Sequence, residues 1–313
     1  MRVVFMGTPE FAATSLHEIN TNSHHEIVGV VTVPDKPSGR GQKMNISDVK
    51  KYAVEHNLPL AQPEKLRNED FIETLKSWNA DVFVVVAFRM LPQTVWSIPS
   101  KGTFNLHGSL LPQYRGAAPI NWAVMNGDQE TGVTTFLIDE KIDTGNILIS
   151  DKVTIGENDN VGIIHDQLMH IGAKLVVKTL DGLENDSLKP HPQDETNELK
   201  HAPKIFKEDC KIDWNDSIQN IHNKIRGLSP YPCAWTTYGN DENYKSLKIY
   251  SGLKTDLSFE ANDYQLILQK NNLYVKTPVG FYEIVELQPE GKRRMTAKDF
   301  VNGHQNEGDI FVK

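Results

Sequence analysis

Apolar positions fall along this chain in two rhythms. Up to about residue 187, short and nearly unbroken apolar runs alternate with segments whose apolar residues recur at helical spacing. Arg2–Gly7 (RVVFMG) is a β-branched run that ends in glycine. Residues 26–33 (EIVGVVTV), 59–62 (PLAQ), 80–88 (ADVFVVVAF), 103–109 (TFNLHGS), 132–139 (GVTTFLID) and 146–155 (NILISDKVTI) read as further strands. The 80–88 run is apolar at nearly every position, as a strand covered on both faces should be. Between the strands lie helical patterns. TPEFAATSLHEI has Thr8 as the expected N-cap and Pro9 at the first helical position. ISDVKKYAVEHN has Ser47 as its expected cap, and NEDFIETLKSWN follows. Residues 117–126 read as helix, and 161–183 (VGIIHDQLMHIGAKLVVKTLDGL) form a long helix of strong 3.6-residue period. Strands alternating with helices predict an α/β unit: a Rossmann-like, mostly parallel sheet with right-handed crossovers. Ligands of such sheets sit outside the carboxyl ends of the strands. The turn after Phe88 and the HGSLLP turn both fall there.

The rhythm breaks at SLKPHPQDETNELKHAPKIFKED, where prolines, acids and amides replace periodic apolar residues. Residues 189–208 are therefore expected to link a domain at 1–188 to a second at 209–313. The second begins with a short helix, IQNIHNKIRGL, and continues as short strands (CAWTTY, LKIYSG, YQLILQ, NLYVKTPVGFYEIVELQP) separated by Asn, Asp and Gly turns. That pattern predicts a small, OB-like antiparallel β-barrel.

Composition narrows the class. Hydrophobic residues make up 39% of the 313 and charged residues 24%, enough apolar matter for packed cores and against global disorder. No apolar run is long enough to span a membrane, and the opening residues lack a leader's apolar stretch, so a cytoplasmic protein is expected. The two cysteines, Cys210 and Cys233, form no Cys-x-x-Cys pair, and free thiols are expected. The net charge of −8 argues against a chain whose main task is to coat nucleic acid. One stretch runs against that balance: Asp35 to Lys51 holds five basic and two acidic residues. GKRRMTAKDF (291–300) is a second basic cluster.

Asn105 and His107 lie two apart on a predicted strand and therefore share a face. An amide donor beside an imidazole suits a carbonyl oxygen that becomes anionic, and histidine also carries a proton near neutral pH. DEKIDTGNI, 36 residues after His107, offers Asp143 on a tight turn. SLLPQYRG could line a pocket with backbone groups, and the breaker-rich loop VPDKPSGRGQKM could meet phosphates. On residue types alone, each also reads as a hydrogen-bonded strand end, a surface turn or a solvated loop. The first turn, GTPEF, lacks Gly-x-Gly-x-x-Gly, so NAD binding is not expected. His24, His25 and His56 have no carboxylate or cysteine at metal-ligand spacing and read as surface or core histidines.

Together, FMGTPEFA, PDKPSGRGQKM, NLHGSLLPQYRGAAPINWAVMNGD, TGVTTFLIDEKIDTGNIL, IRGLSPYP and GKRRMTAKDFVNG resemble the formyltransferase family that uses 10-formyltetrahydrofolate. The likeness covers nearly the full length. The Asn-x-His…SLLP…Asp-x-Gly set is specific to the family's catalytic domain, while the GRG loop and two-domain length point to its tRNA-acting members. The resemblance implies formyl transfer to the α-amine of initiator methionyl-tRNA, with 10-formyltetrahydrofolate as co-substrate and no metal. It implies a catalytic trio of Asn105, His107 and Asp143. It implies that Ser109, Leu110, Leu111, Pro112 and Phe88 border the folate. Arg40 and Lys43 would meet the tRNA acceptor end, and the C-terminal barrel would help to hold the tRNA. A monomer is expected. The alternative is a formyltransferase acting on a 4-amino-sugar nucleotide, which has no need of the GRG loop. Two departures stand out: Phe88-Arg89 replaces an aromatic-Gly pair, and residues 209–313 are near neutral (13 basic, 14 acidic) where the family's barrel is often basic.

Overall fold

The computed structural model describes residues 1–38, 43–196, 198–240, 243–304 and 309–313. They form two compact units: Met1–Gly116 with Gly132–Val153 and Asp166–His201, and Ala117–Thr131 with Thr154–His165 and Ala202–Lys313.

The first unit is built on the expected sheet. Arg2–Gly7 is central and pairs in parallel with Glu26–Val31 on one side and Val82–Val86 on the other. Leu60–Ala61 extends the first side, and Thr103–His107 extends the second, again in parallel. Glu130–Leu137 then runs antiparallel to Thr103–His107, with Ile147–Thr154 beyond it at the edge. Strand order reverses between Arg2–Gly7 and Val82–Val86, so the crevice expected of a doubly wound sheet opens above those two carboxyl ends. Val82, Phe83, Val84 and Val86 are wholly buried, as the unbroken apolar run requires. Each such side chain contributes on the order of 1.5–3 kcal/mol by leaving water.

The helix ends follow local rules with one exception. The Ser47 hydroxyl caps Asp48–Glu55 by accepting the Lys50 N–H, as expected, and the Asn68 amide oxygen caps Glu69–Ser77. The first helix, Glu10–Asn22, is capped one residue later than its sequence suggests. Pro9 occupies the cap position, and no side chain caps the helix. The chain must turn closely there: a Cβ on Gly7 would come within 2.5 Å of the Ala12 methyl and 2.9 Å of the Val86 carbonyl.

The second unit is the expected antiparallel barrel, closed by six strands. Asn243–Thr255, Ala234–Asn240, Ile310–Val312, Gln265–Gln269, Asn272–Thr277 and Gly280–Pro289 follow in order, and the last pairs back with the first. Leu247, Ile249, Tyr282 and Phe300 fill its core. The Tyr282 hydroxyl, pushed well above its usual pKa by burial, lies 3.1 Å from His222 Nδ1 on the helix Ile218–Leu228. Among the described residues, no helix is long and apolar enough to cross a membrane.

Candidate active site

Thr103–His107 carries Asn105 and His107 to the carboxyl end of the parallel sheet, with Leu106 buried between them. Asn105 is half-buried, and among the described residues no side-chain hydrogen bond occupies its amide. An amide held in place but not satisfied by the protein is free to donate to a bound oxygen.

His107 is almost fully buried. Its Nε2–H donates to the Tyr114 carbonyl at 2.9 Å, because a carbonyl can only accept. That bond leaves Nδ1 to face the Asp143 carboxylate, Oδ2 lying 3.9 Å away. The separation is too long for a hydrogen bond. A nitrogen seated about 2.9 Å from both atoms would donate to both. The ring is thus oriented by the Tyr114 carbonyl rather than by the carboxylate.

Asp143 is held by its own contacts. Its Oδ2 accepts the Gly116 N–H at 3.0 Å. Its backbone is left-handed (φ 56°), a conformation Asp and Asn tolerate better than most residues. Two positions on, Gly145 is obligatory, since a Cβ there would lie 1.7 Å from the Leu137 carbonyl oxygen.

The SLLP turn divides its labour. The Ser109 hydroxyl is buried and donates to the Gln113 carbonyl at 2.6 Å. Leu111 packs with Phe136 and Ile147. Thr134 ties the turn down, donating to the Ser109 carbonyl (2.7 Å) and accepting the Leu111 N–H (3.2 Å). Leu110 and Pro112 keep partly exposed surfaces, as does Phe88 after the neighbouring strand. Arg89 does not project freely from that turn. Its guanidinium donates to the carbonyls of Pro63 (2.8 Å) and Glu64 (3.0 Å) and lies 5.1 Å from the Phe88 ring centre. Burial lowers its pKa. Arg40 lies outside the described residues. Lys43 begins the short strand Lys43–Asn45, paired with Lys36–Ser38.

Sequence reasoning missed the supports. Gln193, from the stretch read as a linker, donates to the carbonyls of Asp143 (2.8 Å) and Gly145 (2.9 Å). Arg115 holds Gln193 in turn, its Nε and one terminal nitrogen donating to Oε1 at 3.0 and 2.6 Å. Backbone bonds between Ile147 and His191 fasten the same segment. No local pattern marks Gln193, whose partners are 48 to 78 residues away. Gln193→Ala is expected to lower kcat about tenfold with little change in substrate KM, as two hydrogen bonds of about 1 kcal/mol are lost from the carboxylate's loop. Steady-state kinetics on the two substrates separately would check this.

An unsatisfied amide, an imidazole and a carboxylate converge outside the strands of a doubly wound sheet. Side chains of these kinds, so placed, can serve group transfer at a carbonyl carbon. The chain belongs to the formyl transferase family: the profile described as "Formyl transferase" matches residues 1–180, and "Formyl transferase, C-terminal domain" matches residues 204–305. The family expected from the sequence is therefore the one found. Among curated relatives, the methionyl-tRNA formyltransferase of Bacteroides thetaiotaomicron is 48% identical over 313 residues, covering 97% of this chain and 95% of that protein. That of Phocaeicola vulgatus is 50% identical over 320 residues, covering 100% and 98%. Among solved structures, the sugar 3N-formyl transferase WlaRD, determined in the presence of dTDP and 5-N-formyl-THF, superposes with a TM-score of 0.64. It is 21% identical, covering 94% of this chain and 99% of that one, a likeness of fold.

Proposed function

We propose that the chain transfers the formyl group of 10-formyltetrahydrofolate to the α-amine of initiator methionyl-tRNA, producing N-formylmethionyl-tRNA for translation initiation. The observation that carries this reading is the placement of Asn105 and His107 on one strand end, with Asp143 3.9 Å from the His107 ring. The extent of identity with the methionyl-tRNA formyltransferases supports the choice of acceptor.

The partly exposed apolar surfaces of Leu110, Pro112 and Phe88 fit a planar, largely apolar ring system such as a folate's. Ser109 and Leu111 serve it by shaping the turn. The bound folate supplies an activated formyl carbonyl. The Asn105 amide donates to the oxygen of that carbonyl as negative charge gathers on it. The acceptor amine is neutral when it attacks, and it gains a proton too many as the new C–N bond forms. His107 Nδ1, whose lone pair is free because Nε2 carries the ring proton, accepts that proton with Asp143 Oδ2 as the second acceptor. The imidazolium then has its Nδ1–H directed into the site, where it protonates the leaving nitrogen and returns to neutral.

In this reading residues 1–188 carry the chemistry, 189–208 join the domains, and 209–313 hold the tRNA. The protein acts as a monomer in the cytoplasm. Arg40 and Lys43 meet the acceptor end. Arg40→Ala is expected to reduce kcat/KM for the charged tRNA about tenfold and to flatten its log–log salt dependence by about one. Folate affinity stays unchanged; a parallel loss of it, read by fluorescence titration, removes Arg40 from the tRNA contact.

The reading as a whole is tested by formyl transfer from 10-formyltetrahydrofolate to three acceptors side by side: charged initiator methionyl-tRNA, charged elongator methionyl-tRNA and a 4-amino-sugar nucleotide. Activity on the initiator tRNA alone is expected. Activity on the sugar nucleotide alone would keep the catalytic trio and overturn the substrate.

A further inference from the structure

At the amino ends of the parallel strands, opposite the end that carries His107, a second group of chemistry-bearing side chains meets. His24 and His25 immediately precede Glu26–Val31, and Asp181 and Glu184 lie on the last turns of the helix Val161–Glu184. His25 Nε2 is 3.1 Å from Asp181 Oδ1, and His24 Nδ1 is 3.8 Å from the same oxygen. One potential ligand atom from each of the three residues lies within 4.8 Å of the others. A tetrahedral zinc site with bonds of about 2.0–2.2 Å sets its ligand atoms about 3.3–3.5 Å apart. The two separations to Asp181 bracket that edge, and the cluster as a whole, spanning up to 4.8 Å, closes by an inward swing of about an ångström of the exposed His24 ring.

We propose that His24, His25 and Asp181 form a binding site for a divalent transition ion of the zinc class, with Glu184 supporting His24. Two imidazoles and one carboxylate favour such an ion over magnesium or calcium, which take oxygen shells. Glu184 Oε2 lies 2.5 Å from His24 Nε2. That contact keeps the His24 proton on Nε2 and turns the Nδ1 lone pair toward Asp181, the carboxylate–histidine–metal arrangement that orients a ligand. The His25 side chain is wholly buried, with Nε2 turned toward Asp181 Oδ1. Three protein ligands leave a fourth position for water.

The groups facing His25 are the Met1 ammonium, His24, Glu184 and Asp181. Met1 N lies 3.1 Å from His25 Nδ1, so without metal Nδ1 accepts from the ammonium and Nε2–H donates to Asp181. Binding at Nε2 displaces that proton. The ion would tie the carboxyl end of the long helix to the start of Glu26–Val31, at the end of the sheet opposite the catalytic turn.

The test is calorimetric titration of zinc chloride into the full-length, tag-free, chelator-treated protein, with magnesium chloride as control. One equivalent of zinc is expected to bind, with no matching binding of magnesium. Zinc also raises Tm by several degrees. His24→Ala, an exposed change, and Asp181→Asn each weaken binding at least tenfold while formyl transfer is unaltered. Absence of zinc binding, or binding that survives in either variant, overturns the proposal.

Discussion

His107→Ala is expected to lower kcat by about a thousandfold or more, whichever substrate is varied. In the proposed reaction the imidazole takes the proton from the attacking amine and returns it to the leaving nitrogen, and such proton transfer is worth about 10²–10⁴ in rate. The substitution also leaves the buried Tyr114 carbonyl without its 2.9 Å donor, a cost of about 1–3 kcal/mol that should lower Tm by a few degrees without unfolding the protein. His107→Gln separates the two effects. Its amide can still donate to the Tyr114 carbonyl, yet it cannot carry a proton. Single-turnover rates together with thermal unfolding for both variants give the decisive comparison. If either retains activity within tenfold of the parent, the proton passes elsewhere and the assignment fails.

Asp143→Asn carries the second largest expected effect, a loss of about a hundred- to a thousandfold in kcat. The amide oxygen preserves acceptance from the Gly116 N–H, and asparagine tolerates the left-handed backbone at this position. The loop therefore survives while the negative charge opposite His107 Nδ1 disappears. Asp143→Ala is a poorer probe, because it adds backbone strain and frees the turn at the same time. Rates measured for Asn and Ala side by side, with circular dichroism to verify the fold, isolate the charge. Near-normal turnover by the Asn variant would reduce Asp143 to a structural anchor of the turn at Gly116.

Sequence reasoning reached Asn105 and His107 because strand parity is a two-residue rule, read without knowledge of any other segment. Asp143 was legible as a carboxylate on a turn, but only the packed sheet puts its Oδ2 3.9 Å from the ring. Ser109 stands in a string expected to border the folate, and its hydroxyl donates inside the turn to the Gln113 carbonyl, a bond no local pattern announced. Arg89 was visible as a departure from the family, but not its destination. Its carbonyl partners, Pro63 and Glu64, follow a different strand. The histidines at 24 and 25 read as ordinary side chains because their carboxylates lie 156 and 160 residues away.

The sequence by itself determined the two units' classes, the strand order's alternation with helices, the barrel and the face shared by Asn105 and His107. These depend on periods of two and 3.6 residues and on caps and turns, all of which act between near neighbours. The tertiary structure alone decided which atom orients His107, what restrains Asp143 and Arg89, and why Gln193 matters. Each of those contacts joins segments brought together only when apolar faces bury against one another, and no local pattern records which distant partner then falls within hydrogen-bond reach.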